Sequence, residues 1–145
     1  MASVTAPSAV PGQLALLLPV GRDTYALSLD TVREVVVEPR VTHLPTAPPV
    51  VLGVFNLRGD IVPLLDTGIL LGLHPVMEEP YAVLVETPHG VAGLVATEMP
   101  LTVRLSESVG HSDMEGTTET YLVSDTRLAV ALDVEALLSP ARISR

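Results

Sequence analysis

The chain has 145 residues, the size of one ordinary domain, and a chain of this length buries roughly 68 to 70% of its unfolded surface. Its 17 acidic residues outnumber its 8 basic ones, and the net charge of −9 argues against nucleic acid or an anionic membrane as the main partner. Cysteine is absent, which excludes disulfides, thiolate metal sites and a cysteine nucleophile. A protein partner is therefore the simplest expectation.

The N-terminal part of the chain predicts a flexible leader followed by strands. Residues 1–12 are small, polar and proline-containing, without periodicity. Two apolar runs, 14–20 and 24–29, flank a Gly-Arg-Asp link and therefore predict a β-hairpin. A short helical turn is expected at 30–32, and a strand at 33–37 follows it.

Residues 53–66 contain two apolar runs separated by a polar link at Arg58-Gly59-Asp60, which is typical of a β-hairpin. Strand alternation places Phe55 and Leu57 on the side of the core. Asn56 and Arg58 then lie on the opposite side, where the guanidinium is available to a carboxylate or to a partner.

The second half of this hairpin leads into a short helix. Pro63 has no backbone N–H, so the second strand is expected at an edge, a bulge or a strand start. Asp66 is a candidate N-cap for one or two helical turns at 67–73, which Gly72 would close.

A polar, acidic connection at 74–80 is interpreted as the boundary between two halves of a single domain at 13–138. A second set of strands follows it, and residues 106–120 are expected to form an exposed loop because they have no apolar periodicity. The predicted strands lie at 81–86, 91–97, 101–105, 121–124 and 127–132.

The C-terminal part resembles the earlier hairpin. Asp133 is a candidate N-cap for a closing helix at 134–138, and Pro140 argues against its continuation into a tail at 139–145. Both 56–66 and 121–133 are strand-turn-strand units that end in Leu-Asp before a short helix. Together with short strands every eight to twelve residues, this echo predicts an all-β protein with two similar halves, arranged as barrels or as a sandwich.

No pattern typical of catalysis or metal binding is present. The four histidines are scattered through predicted loops, without a pair at ligand spacing. Asp60 and Asp66 are better explained as a turn residue and a helix cap than as a catalytic pair. We therefore expect a protein that is not an enzyme and that needs no cofactor or metal.

The hairpin at 53–66 also carries a family resemblance. It resembles the signature of the CheW-like family of chemotaxis coupling proteins, whose pattern is close to G-V-x-N-L-R-G-x-I-V-P-x-x-D. The matching residues are Gly53, Asn56, Leu57, Arg58, Gly59, Ile61, Val62, Pro63 and Asp66.

The resemblance covers about 13–138 and implies two intertwined five-stranded β-barrels with short helical turns. It also implies a cytoplasmic adaptor, recruited to receptor clusters, that couples the cytoplasmic tips of chemoreceptors (methyl-accepting chemotaxis proteins) to a CheA-type histidine kinase. No cofactor, nucleic acid or direct membrane insertion is implied. The protein-binding positions carried over from the family are Val32, Glu34, Gly53, Asn56, Arg58, Tyr81, Ala82 and Met99.

Two alternatives to this adaptor remain open. An expected Asp is Thr97, an expected Gly is missing near Ser124, and Pro140 shortens the C-terminal helix. These departures favour an accessory CheW-like subunit that binds receptors but engages the kinase weakly or not at all. An unrelated alternative is a small β-barrel enzyme or ligand-binding domain.

Some of the single positions also have alternative explanations. Val32 and Met99 are compatible with ordinary core packing, and Arg58 is compatible with a surface ion pair.

Overall fold

The structure is a computed structural model that describes residues 12–124 and 126–143. The predicted leader therefore lies outside the described residues, apart from Gly12. The backbone N–H of Gly12 donates a hydrogen bond to the carbonyl oxygen of Leu105 at 2.9 Å. Within the described part of the chain, none of the helices has the length and apolar content needed to span a bilayer.

The described residues form twelve strands in two six-stranded sheets. Sheet I contains, in spatial order, β10 (Ser108–His111), β11 (Thr117–Ser124), β12 (Arg127–Leu132), β2 (Asp23–Ser28), β1 (Leu14–Val20) and β9 (Thr102–Arg104). Sheet II contains β3 (Val32–Val37), β7 (Tyr81–Thr87), β8 (Gly90–Ala96), β6 (Asp60–Leu65), β5 (Val51–Leu57) and β4 (Thr42–His43). Three short helices complete the described part of the fold: α1 (Thr67–Leu70), α2 (Val134–Leu137) and α3 (Pro140–Ile143).

The two sheets are built from two equivalent repeats of the chain. The first repeat runs from β1 to α1 and the second from β7 to α2, and equivalent positions such as Asp66 and Asp133 are 67 residues apart. Each repeat gives its first hairpin to the sheet of the other repeat: β1 and β2 pair within sheet I, and β7 and β8 within sheet II. The parallel pair β12–β2 joins the β1–β2 hairpin to sheet I, and the parallel pair β6–β8 joins the β7–β8 hairpin to sheet II. The connection at 74–80 lies between the repeats and does not separate the sheets.

The buried apolar side chains of the described residues form three clusters. Phe55, Leu64 and Leu84 belong to a cluster enclosed by sheet II, and Leu17 and Tyr121 belong to the corresponding cluster of sheet I. The largest cluster lies between the sheets and takes side chains from both, including Leu18, Leu27, Val83, Val85 and Leu94. The all-β class with two barrels, a shared core and short helices is confirmed. Each sheet has six strands instead of five, counting strands as short as the two residues of β4.

The hairpin predicted at 53–66 is confirmed as β5 and β6. Phe55 is buried, with 3% of its surface exposed, whereas Leu57 is only half-buried because it is the last residue of β5. Pro63 does not mark an edge strand, since β6 lies between β5 and β8. The proline is compatible with this place because the parallel pairing of β6 with β8 begins one residue later, at Leu64.

Two other local predictions were wrong. The stretch 106–120 is not one loop, because it contains β10 and the start of β11; all four residues of β10 are exposed at the sheet edge, so the sequence shows no alternation there. Residues 29–31 form a hydrogen-bonded turn instead of a helix, and Val32 already begins β3. The closing helix α2 ends before Pro140, as expected, and Pro140 begins a separate helix, α3, at its first position, where the missing N–H costs nothing.

Both aspartate caps are confirmed, and their surroundings differ. Asp66 is buried; its Oδ1 accepts a hydrogen bond from the backbone N–H of Ile69 at 3.0 Å, and both its oxygens accept from that of Val76 at 3.2 Å. Asp133 is half-buried and accepts at 3.1 Å from the backbone N–H of Ala136. Asp66 therefore fixes both the start of α1 and the connection that follows it.

We expect Asp66→Ala to lower the free energy of unfolding by about 2 kcal/mol and Asp133→Ala by about 1 kcal/mol. The chemical change is the same at equivalent positions, but only Asp66→Ala also removes the acceptor for the N–H of Val76. Urea denaturation of both variants tests this. Equal losses would mean that the contact with Val76 contributes nothing.

Candidate protein-binding site

The β5–β6 turn presents Arg58 at the end of its hairpin. Leu57 pairs with Asp60, so Arg58 and Gly59 form a two-residue turn, and their φ angles are 50° and 95°. Left-handed backbone at both central positions defines a type I′ turn, in which Asn and Gly are the usual residues. The oxygen Oδ1 of Asn56 accepts a hydrogen bond from the backbone N–H of Gly59 at 2.9 Å.

Arg58 forms a two-point ion pair with Glu34 on β3. Its Nη2 lies 2.5 Å from Oε2 of Glu34, and its Nη1 donates to Oε1 at 3.3 Å. The Arg58 side chain is 69% exposed and the Glu34 side chain 31% exposed. Because β3 is an edge strand that does not pair with β5 or β6, the ion pair joins two distant parts of sheet II at the surface.

The ion pair shifts the pKa of each group in the direction that favours its charged form. The hydrogen bond from Arg58 lowers the pKa of Glu34 below its ordinary value of 4.5, and the positive charges of Arg58 and Arg33 lower it further. The same contact raises the pKa of Arg58. An arginine fork whose direction is fixed by a carboxylate is a suitable contact for a partner's polar groups, since its side chain is largely exposed and carries five N–H donors.

The structure places three of the other predicted positions at the surface or close to it. Val32, at the start of β3, is half-buried against the cluster between the sheets, as is Tyr81 at the start of β7. Met99 lies in the connection before β9 and is 50% exposed. Val32 and Met99 are equivalent positions of the two repeats, 67 residues apart.

Two predicted positions cannot contact a partner through a side chain. Ala82 is completely buried inside sheet II, so its assignment as a protein-binding residue was wrong. Both faces of β7 are buried, so its sequence is a continuous apolar run without alternation. Such a run does not indicate which side chains point towards solvent. Gly53 is also buried, and a Cβ atom there would lie 2.2 Å from the carbonyl oxygen of Thr42.

The departures from the family pattern have structural explanations where the residues are described. The backbone N–H of Thr97 donates to the carbonyl oxygen of Pro19 at 2.9 Å, and its Oγ1 accepts from the backbone N–H of Gly21 at 3.0 Å. Thr97 therefore fastens β8 to the turn of the exchanged hairpin. Ser124 pairs with Arg127 at the end of β11, and Pro140 begins α3.

An apolar groove that the sequence did not predict lies at one end of the junction between the sheets. It has a volume of about 710 Å³ and runs between the β1–β2 turn and the connection after α1. Val20, Leu73, Val76 and Met77 are among its apolar lining residues. Val20 lies more than fifty positions before the other three in the chain, and no local pattern indicates that the two segments meet.

The described residues give no support to a metal centre. Among residues 12–124 and 126–143, no three His, Asp or Glu side chains come together in a group that could hold a metal ion. His43 lies 3.7 Å from Glu79, and this contact joins β4 to the connection before β7. Among the predicted positions, the chemistry that the structure brings together is therefore that of an arginine fork and a carboxylate.

Comparisons with known proteins agree on one family. A family model described as the CheW-like domain matches residues 14–142. A probable chemotaxis protein CheW of Rhizobium etli is 26% identical over 131 residues, which cover 83% of each chain. The chemotaxis protein CheW of Helicobacter pylori is 27% identical over 127 residues, covering 82% of this chain and 77% of the relative. The crystal structure of the scaffolding protein TtCheW from Thermoanaerobacter tengcongensis superposes with a TM-score of 0.79 at 19% identity, covering 92% of this chain and 97% of that one.

Proposed function

The chain belongs to the CheW-like family, and from this premise we propose that it is a non-enzymatic adaptor that couples the cytoplasmic tips of chemoreceptors to a CheA-type histidine kinase. The relatives from Rhizobium etli and Helicobacter pylori are chemotaxis proteins, and TtCheW is a scaffolding protein. The adaptor acts in the cytoplasm and is recruited to receptor clusters. It contributes surfaces that hold its partners together and carries out no reaction of its own.

The observation that carries this proposal is the exposed ion pair between Arg58 on the signature hairpin and Glu34 on β3. The Arg58 side chain is 69% exposed although two contacts to Glu34 hold its guanidinium, so the side chain is oriented without being buried. Arginine is enriched among the residues that dominate binding energy at protein interfaces. An oriented fork loses less side-chain freedom on binding than a mobile one would.

The apolar residues among the other predicted positions suit a helical partner. Val32, Tyr81 and Met99 supply apolar surface in the same family positions, and their partial exposure leaves them available for contact. An amphipathic helix that lies on such a surface gains affinity from apolar burial, while charged groups at the rim fix its register. The receptor-binding surface that we propose therefore consists of Val32, Glu34, Asn56, Arg58, Tyr81 and Met99.

We expect Arg58→Ala to weaken binding of a chemoreceptor cytoplasmic-tip fragment by about 30-fold, the size typical of an interface hot spot. The melting temperature should stay within about 2 °C of the wild type, because exposed substitutions seldom change stability. Isothermal titration and thermal melting of the same preparation measure the two quantities.

The matched control is Arg127→Ala, which removes an exposed arginine next to the turn of the equivalent β11–β12 hairpin. This control should leave receptor binding unchanged. A collapse of melting together with binding in Arg58→Ala would make Arg58 structural and remove the support for the proposal. Parallel titration against the regulatory domain of the kinase tests the accessory-subunit alternative, which requires kinase binding to be much weaker than receptor binding.

A further inference from the structure

The position of Arg58 depends on a turn that its own side chain does not favour. Among the described residues, only Glu38 and Arg58 are non-glycine residues with a positive φ angle. A side chain with a Cβ atom is strained in this conformation, and the first central position of a type I′ turn normally holds Asn, Asp or Gly. Some other contact must therefore hold the turn in its observed form.

Asn56 makes that contact. Its Oδ1 accepts the hydrogen bond from the backbone N–H of Gly59 at 2.9 Å, three residues along the chain. Asn56 itself is exposed and pairs with Ile61 across the hairpin, so its side chain belongs to none of the three apolar clusters. The amide side chain thus spans the turn from the outside of the barrel without contributing to the core.

Gly59 and Arg58 are consecutive, so a constraint on one fixes the other. The bond from Gly59 to Asn56 sets the peptide plane that follows Arg58 and, with it, the direction in which the Arg58 side chain leaves the backbone. The guanidinium then reaches Glu34 on β3 with both of its terminal nitrogens. Without the side-chain acceptor, the turn can relax towards forms that place the first central residue at negative φ.

We propose that Asn56 is a positioning residue, which acts on the partner only through Arg58 by holding the β5–β6 turn in its left-handed form. This inference rests on the proposed function, because it concerns the same receptor-binding surface. It changes the role of Asn56 from a direct contact to a support. The amide oxygen is the group that matters, and the partner does not need to touch it.

Four variants of the full chain test the inference: Asn56→Ala, Asn56→Asp, Arg58→Ala and the double variant Asn56→Ala with Arg58→Ala. Asn56→Asp keeps an oxygen acceptor of the same reach and is the matched control. We expect Asn56→Ala to weaken binding of the receptor-tip fragment about fivefold to tenfold, with Asn56→Asp within about twofold of the wild type. In the Arg58→Ala background, Asn56→Ala should cause no further loss, because the residue through which it acts has been removed.

A second measurement does not need the partner. If Asn56 holds Arg58 against Glu34, the pKa of Glu34 measured by NMR should rise in Asn56→Ala towards its ordinary value of 4.5 and remain depressed in Asn56→Asp. A purely structural role of the amide in stabilising the hairpin would lower the melting temperature without this change.

The possible outcomes separate the two proposals. A further loss of binding from Asn56→Ala in the Arg58→Ala background, or an unchanged Glu34 pKa in Asn56→Ala, would overturn the positioning role. If the wild type itself does not bind the receptor-tip fragment, the proposed function fails, and the pKa of Glu34 still decides whether Asn56 positions Arg58.

Discussion

Replacing Arg142 by alanine is expected to lower the free energy of unfolding by about 3 kcal/mol, because a largely buried charged group with several partners is removed. The Arg142 side chain is only 14% exposed. Its Nη2 donates to the carbonyl oxygen of Leu70 at 2.5 Å, and its Nε donates to that of Leu137 at 3.2 Å. Its Nη1 donates to the carboxylate of Glu115.

These contacts join the two repeats at one point. Leu70 is the last residue of α1 and Leu137 the last residue of α2, so one guanidinium serves the C-terminal carbonyls of both equivalent helices. Arg142 also holds α3 in place, and Ile143 packs against the cluster between the sheets. The alanine variant leaves helix-end carbonyls without their donor and loosens the C-terminal segment.

Urea denaturation of the full chain measures the effect. Arg127→Ala is the control, since Arg127 is exposed and donates a 3.3 Å hydrogen bond to Thr24; it should change stability by about 0.5 kcal/mol or less. Arg142→Lys keeps the charge but loses the planar fork, and should fall between the two. An Arg142→Ala variant as stable as Arg127→Ala would show that the contacts to both helices are dispensable.

The sequence predicts those parts of the fold that depend on local chemistry. The β5–β6 hairpin follows from apolar alternation around a polar turn, and the single phenylalanine identifies its buried face. The caps at Asp66 and Asp133 follow from a short polar side chain placed just before a helical turn. These features need only a few neighbouring residues, so the chain itself carries the signal.

The exchange of hairpins between the repeats could not be predicted from the sequence in this way. It depends on the pairing of β12 with β2 and of β6 with β8, whose partners lie far apart in the chain. β4 and β10 escape prediction for a different reason: they are short, exposed edge strands that bury neither face. The role of Arg142 is invisible as well, because its partners come from both repeats.

The candidate site was predictable in part. Alternation along β5 correctly predicts that Arg58 is exposed to solvent. The ion pair with Glu34 could not be predicted in this way, because it requires β3 to lie close to the β5–β6 turn of the same sheet. The wrong assignment of Ala82 has a related cause, because a strand buried on both faces has no outward side that its pattern could identify. Alternation therefore works only on strands that have one exposed face.

Gly53 leads to the last prediction: Gly53→Ala should lower the free energy of unfolding by about 3 kcal/mol, at the upper end of the cost of overpacking. A Cβ atom there would lie 2.2 Å from the carbonyl oxygen and 2.9 Å from the carbonyl carbon of Thr42. These are backbone atoms, so they can give way only if β4 moves off β5. The pairs of Thr42 with Val54 and of His43 with Gly53 would then be lost.

Gly93→Ala is the matched control, since Gly93 is also a buried strand glycine in sheet II. A Cβ atom at Gly93 meets side-chain atoms only, the nearest being Cδ1 of Leu64 at 3.1 Å, and flexible side chains can move aside. Its cost should be about 1 kcal/mol or less, because alanine also restricts the unfolded chain. Urea denaturation of both variants measures the difference.

Comparing Gly53→Ala with Arg58→Ala decides how Gly53 contributes to partner binding. If Gly53 acts through the packing of β4 on β5, Gly53→Ala loses stability and receptor binding together, whereas Arg58→Ala loses binding alone. This distinction follows from their positions, since Gly53 is buried against backbone and Arg58 is 69% exposed. A Gly53→Ala protein that melts like the wild type but binds the receptor-tip fragment poorly would instead make Gly53 a direct contact, and the partner would have to reach the backbone of β5 itself.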